Sequence, residues 1–333
     1  MSTPVSAAGR LLAYFQFLLA IFYILLARAV ATHGAAGLVF DPWTGLVEQA
    51  LFVLLLALGF TCFSFWSRSE GEQGIGFPLR AGWLRESALG LAAGWALAVV
   101  CVLVLALSGG IAVSITPRLS QWGWLLVEVA FFALMALGEE IALRGYAFQR
   151  LSRSVGPLGA SLLVAAFYAI LQSLLPGAAR STVVVALLFS LALSATVVRT
   201  RALWVSWGIN FGWKASRALL FGLAVDGLNT HSPVVQGNPM GSFWLTGGSF
   251  GLESSWFVAL LLLGFLPLVF RLTAELNDRY NPLVIEPGGI PVDIDALVRA
   301  QHEAAAPSEP AAAPLVQILP AAAPALTDPP EQS

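Results

Sequence analysis

Charge is scarce in this chain of 333 residues: Asp, Glu, Lys and Arg together make up 11%, against about 25% in an ordinary soluble domain. Hydrophobic residues reach 58% and mean hydropathy is +0.80. A soluble globular fold is excluded, and an integral membrane protein is expected. The net charge of −2 supplies no field that would draw nucleic acid, so none is expected as a partner. Cysteine is nearly missing. Cys62 and Cys101 both sit inside apolar runs, which leaves no disulfide framework and no CxxC pair, and both read as small apolar side chains. Histidine is just as rare, with His33, His231 and His302 alone.

Long hydrophobic runs are what the chain has in place of charge. A window of about 20 residues crosses a ~30 Å hydrocarbon core as a helix. Eight such runs fall near 11–32, 46–66, 87–108, 122–149, 158–176, 181–198, 202–221 and 255–272. Strands with open edges would leave backbone groups unpaired in lipid, and no barrel-like alternation of ten-residue segments is present. The expected fold is all-α, a polytopic membrane bundle of about eight helices.

Arginine placement orients it. With the N-terminus inside, ten cations fall in cytoplasmic segments (Arg10, Arg68, Arg80, Arg85, Arg150, Arg153, Arg199, Arg201, Arg271 and Arg279) and two, Arg118 and Arg180, in outer loops. That asymmetry predicts both termini in the cytoplasm. The first run is an alternative signal peptide with AVA at 29–31 as its cleavage site, but Leu11 to Ala27 exceeds the usual 7–15-residue apolar region, which favours a retained helix. Three regions are expected: 1–74 with two helices and a loop, 75–273 as the core bundle, and 274–333 as a Pro/Ala-rich, disordered cytoplasmic tail.

Against this apolar background, LMALGEEIALRGYAFQRL (134–151) is anomalous. An ionised group at mid-membrane costs at least ~2.5–3.5 kcal/mol on insertion scales. Arg144 follows Glu140 by four residues and shares its helix face. Glu139 is rotated ~100° away and needs another partner, a proton or water. Tyr146, seven residues on, is expected on the Glu139 face. The fifth run carries Tyr168 and Gln172, and the seventh carries Ser206, Asn210 and Lys214, each pair four apart. Intramembrane polar groups face the bundle interior, so a shared polar chamber is expected between runs four, five and seven. Rises of 1.5 Å per residue put Glu140 and Asn210 at similar depth, while Gln172 fits only if the fifth helix begins lower or tilts.

These residues resemble a known family. GEEIALRGYAFQRL is similar to the EExxxR segment of the CPBP family, which comprises CAAX-type prenyl endopeptidases and bacteriocin-processing and Abi-type membrane proteins. GFPLRAGWLRESALGLAAGW (76–95), GxxFGW (Gly208 to Trp213) and TGGSFGLESS (246–255) resemble it too, so the resemblance spans roughly 75 to 270. It implies an intramembrane peptidase in which paired glutamates activate water. Histidines of an FxxxH and an HxxxN segment serve either as metal ligands or as hydrogen-bonding, oxyanion-holding groups.

The chain departs from the family at both histidines. The FxxxH position reads Tyr168-x-x-x-Gln172 and the HxxxN position Asn210-x-x-x-Lys214. Carried over residue by residue, Glu139, Glu140 and Arg144 match, Gln172 and Asn210 stand for the imidazoles, and Lys214 stands for the asparagine. Neutral amides are weak zinc ligands and zinc sites use three ligands, so zinc is not expected, nor any other cofactor. Gln172 and Asn210 still offer donors to an oxyanion, whereas Lys214 pairing with Glu139 or Glu140 makes a poorer base. The expectation is a degenerate member in the bacterial cytoplasmic membrane, contacting lipid and binding membrane-embedded or prenylated peptide segments. The catalytic set would be Glu139, Glu140, Arg144, Gln172 and Asn210, and the binding set Tyr146, Tyr168, Ser206 and Lys214. An active glutamate-dependent endopeptidase is the alternative.

Overall fold

The structure, a computed structural model, describes residues 7–39, 41–67, 75–116, 118–228 and 234–281. The Pro/Ala-rich segment from 282, with the disorder expected for it, lies outside the described residues, as do His231 and His302. The long helices are α1 (Ala7–Leu38), α2 (Thr44–Ser67), α3 (Trp83–Leu107), α4 (Leu119–Arg144), α5 (Tyr146–Ser173), α6 (Arg180–Thr200) and α7 (Trp204–Ala215). A four-residue α8 (Phe243–Thr246), α9 (Trp256–Leu272) and α10 (Ala274–Tyr280) follow. The fold is an all-α membrane helix bundle.

Each of the eight apolar runs becomes a helix, but they are not eight equal spans. Among the described residues five helical stretches are long and apolar enough to cross a membrane, or six if the bent pair α9–α10 counts as one. One of the five, Gln121–Ser173, runs for 53 residues and holds both α4 and α5. The expected span 122–149 is therefore cut short. Gly145 leaves helical geometry at ψ −128°, and a β-carbon there would overlap the Ile141 carbonyl and come 3.1 Å from that of Ile75. A second break follows at Gly156, whose φ of 81° suits glycine, just before Pro157. Helix α5 thus begins well before the run expected at 158.

Helix α7 has only 12 residues, continued by a π turn at Ser216–Leu220. Its position comes from a close crossing with α3. Gly90 and Gly94 face Gly208 and Gly212, and a β-carbon at Gly90 would overlap the Val205 carbonyl oxygen and lie 3.1 Å from the Gly208 Cα. Small residues four apart let two backbones touch, where dispersion and packing replace the hydrophobic drive that lipid cannot supply. Around this crossing a core forms from Leu97, Cys101, Phe189, Ile209, Trp213 and Leu262. A second core packs α1 and α2 on the α4–α5 junction through Ala20, Ala27, Phe52, Phe60 and Tyr146.

Two features depart from the sequence reading. A two-stranded antiparallel ribbon, β1 (Ile111–Ile115) with β2 (Val235–Pro239), joins the segments after α3 and before α8. Residue 274 is also not the start of a tail, since α10 begins there. Tyr280 donates to Glu86 at 3.0 Å, Arg80 lies 3.5 Å over its ring, and Asn281 donates to the Arg199 carbonyl at 2.8 Å. These contacts extend the ordered bundle past the boundary expected at 273.

Candidate functional site

The helix face set by i and i+4 spacing holds for Glu140 and Arg144. The guanidinium donates to Glu140 Oε1 at 2.9 Å, with both side chains almost wholly buried. It is fixed from the other side by α6, whose Ser190 hydroxyl accepts at 2.7 Å and Ser194 hydroxyl at 3.3 Å. Two serines four apart in an apolar helix thus satisfy the donors that Glu140 leaves over, as a buried charge requires.

Helix α7 brings its polar face against α4. The Asn210 amide donates to Glu139 Oε2 at 2.9 Å and to Glu140 Oε1 at 3.1 Å. One turn on, Lys214 Nζ lies 2.5 Å from Glu139 Oε1. The same ammonium is 2.8 Å from Asp226 Oδ2, and Asp226 Oδ1 accepts from Gln172 at 3.0 Å. Gln172 also donates to the Tyr168 hydroxyl at 2.8 Å. The network therefore runs continuously from α6 through α4 and α7 to a loop acid and then α5. Three carboxylates (Glu139, Glu140 and Asp226) meet two cations. Glu140 Oε2, Asn210 Oδ1 and Gln172 Oε1 are buried without a hydrogen bond. Beside the network a cavity of about 10 Å³ is lined by Tyr168, Gln172, Lys214 and Glu253, room for about one water.

Residues 121–216 match the family model described as type II CAAX prenyl endopeptidase Rce1-like. The matched stretch runs from α4 into the π turn after α7 and so contains both sides of the Glu–Asn–Lys contact. The match supports the CPBP family for this part of the membrane bundle. No curated protein and no solved structure matches it.

Of the nine residues singled out in the sequence, eight meet here. Glu139, Glu140, Arg144, Tyr168, Gln172, Asn210 and Lys214 form one hydrogen-bonded network, closed by Asp226. Ser206 lies beside Glu140 and donates to the Leu203 carbonyl at 3.1 Å. Tyr146 is the exception. The break at Gly145 cancels the seven-residue spacing from Glu139, and the ring stacks on Phe60 at 5.5 Å with Arg150 4.6 Å over it. It is a packing residue between α2 and α5. Gln172 reaches the network despite the depth mismatch because Asp226 bridges the gap.

Asp226 is the residue the sequence reading missed. It sits outside every apolar run, at φ 52°, in a turn before Gly227. An Asp-Gly pair is a turn signal and Asp tolerates the left-handed region, so the turn was legible, though its partner was not. Ser190, Ser194 and the buried Arg217–Glu253 pair also went unread.

The metal of the family scheme does not fit these side chains. Among the described residues no three His, Cys, Asp or Glu side chains are grouped to hold an ion. Between Glu139 and Asp226, where a divalent cation would bridge carboxylates, stands the Lys214 ammonium. His33 is an exposed residue of α1 bonded to the Ala29 carbonyl at 2.8 Å, outside this network.

Proposed function

We propose that this CPBP-family protein is a degenerate intramembrane endopeptidase, one that binds membrane-embedded or prenylated peptide segments and cuts them weakly or not at all. The carrying observation is the position of Lys214 Nζ, shared between Glu139 and Asp226. General-base catalysis needs a carboxylate within hydrogen-bond reach of the water it deprotonates. Glu139 instead spends one oxygen on Lys214 and the other on Asn210. Asn210 and Gln172, the donors an oxyanion would use, are turned to Glu139, Glu140 and Asp226. Residence in a bacterial cytoplasmic membrane belongs to the same proposal; the arginine asymmetry supports the orientation with both termini on the cytoplasmic side.

One observation favours the alternative, glutamate-dependent cleavage: Glu140 Oε2 accepts no hydrogen bond. The two readings separate in one experiment. The full chain in lipid nanodiscs is titrated with a fluorescent farnesylated peptide, and the same samples are assayed for cleavage. The degenerate reading expects saturable binding, equal for wild type and Glu140→Gln. It also expects cleavage in the combined variant Gln172→His, Asn210→His, Lys214→Asn at a rate well above that of wild type. Absence of binding, or cleavage by wild type at the rate of that variant, overturns it.

A further inference from the structure

The cavity of about 10 Å³ beside the polar chamber is lined by three side chains with hydrogen-bonding capacity left over. Gln172 is 6% exposed. Its amide nitrogen donates to Tyr168 and Asp226, while its Oε1 is buried without a partner. Glu253 is 8% exposed. Its Oε1 accepts from Arg217, while its Oε2 is buried without a partner. The Tyr168 hydroxyl accepts from Gln172 at 2.8 Å, and among the described residues nothing accepts its own proton.

The charges of the lining select the occupant. Lys214 belongs to the same wall and repels a second cation. Glu253, also in the wall, repels an anion. What fits is a small neutral molecule able to accept one hydrogen bond and donate two. We infer that the cavity binds a single ordered water, which accepts from the Tyr168 hydroxyl and donates to Gln172 Oε1 and Glu253 Oε2. Buried waters typically make about three hydrogen bonds to polar groups that otherwise lack a partner, and leaving such groups unpaired in a dry interior is costly.

This water joins two buried charge clusters. On one side lie Gln172, Asp226, Lys214 and Glu139. On the other lie Glu253 and Arg217, whose Nε donates to the Trp213 carbonyl at 3.1 Å and whose guanidinium lies 4.1 Å over the Trp213 ring. Glu253 stands on the short turn Leu252–Ser254, which is tied to α6 where Ser181 donates to the Ser254 carbonyl at 2.6 Å. The water is thus caged by α5, α6, α7 and that turn. A cavity of this size leaves no place for a peptide carbonyl beside it, so the water holds the Glu253 turn on the chamber and is not a nucleophile. The inference does not depend on whether the chamber cuts peptides.

The test is X-ray hydroxyl-radical footprinting of the full chain in lipid nanodiscs, mixed for milliseconds with heavy-oxygen water before the pulse. Phe189 and Trp213 line the cavity and are buried. A slowly exchanging bound water is expected to oxidise them with light oxygen, while the exposed Trp244 takes the heavy label. Ala186→Val fills the cavity with methyl groups and should abolish the light-oxygen product at both residues. Tyr168→Phe, a milder change, removes the donor and should lower that product, and gel filtration identifies which variants are folded. Heavy label at Phe189 and Trp213 in wild type, no oxidation of either, or undiminished light-oxygen product in a folded variant overturns the inference. A melting temperature that rises when choline is replaced by sodium assigns the cavity to a cation and also overturns it.

Discussion

Replacing Lys214 by methionine keeps an unbranched side chain, one atom shorter, and removes its charge. In the folded protein Lys214 is 1% exposed and its ammonium serves both Glu139 and Asp226. Two values bracket the effect. An ordinary interhelical polar contact in a membrane protein is worth about 0.6 kcal/mol, while removing one partner of a buried ion pair costs about 3–5 kcal/mol because a charge is stranded. The structure decides between them. Asp226 has 7% of its side chain exposed, so little water can replace the ammonium there. Glu139 is better placed, with 23% exposed and Asn210 still donating. The low end of the buried-pair range follows, about 3 kcal/mol. Adding Asp226→Asn removes the stranded charge, so the double variant should be more stable than the sum of the two single changes, with a coupling of about 1–3 kcal/mol. Reversible unfolding in mixed micelles titrated with SDS measures all four corners of the cycle. A Lys214→Met cost near 0.6 kcal/mol, or strict additivity, would refute the network and leave only helix–helix glue.

Other changes give separate checks. Arg144→Met strands the wholly buried Glu140 and leaves Ser190 and Ser194 without their donor, so about 3–5 kcal/mol of stability should be lost in the same unfolding assay. Gly208→Leu drives a side chain into the Ser87 carbonyl and Leu91 nitrogen of α3; loss of the folded, monodisperse fraction on gel filtration is expected, with Gly123→Leu as the tolerated control because its surroundings are open. Tyr146→Phe should change stability by less than about 0.5 kcal/mol, and Tyr146→Ala should cost about 3–5 kcal/mol, since the ring on Phe60 makes the contact.

Apolar runs were enough to place the helices, because length and hydropathy decide what can cross a bilayer. They could not place the breaks. The run from Gln121 to Ser173 is apolar almost throughout, and the turn at Gly145 depends on the Ile75 and Ile141 carbonyls pressing on a residue without a β-carbon. Tyr146 was misassigned for that reason, since periodicity was carried across a break. Glycines at 90, 94, 208 and 212 were visible in the sequence, but their role required knowing that α3 and α7 cross. The polar chamber was legible because charges in apolar helices have few places to go. Asp226 was not, because its pairing with Lys214 is set by the return of a loop, and no local pattern encodes which buried cation a turn acid will meet. Ser190 and Ser194 read as ordinary small residues until Arg144 needed acceptors.

The central claim is that Glu139 and Glu140 are held by Asn210, Lys214 and Arg144 and do not act as a hydrolytic pair. Its most direct test is turnover of a farnesylated peptide by purified wild type and Glu140→Gln, measured side by side by mass spectrometry of the cleaved product. The account predicts the same background signal from both. Turnover by wild type that disappears in Glu140→Gln would contradict it.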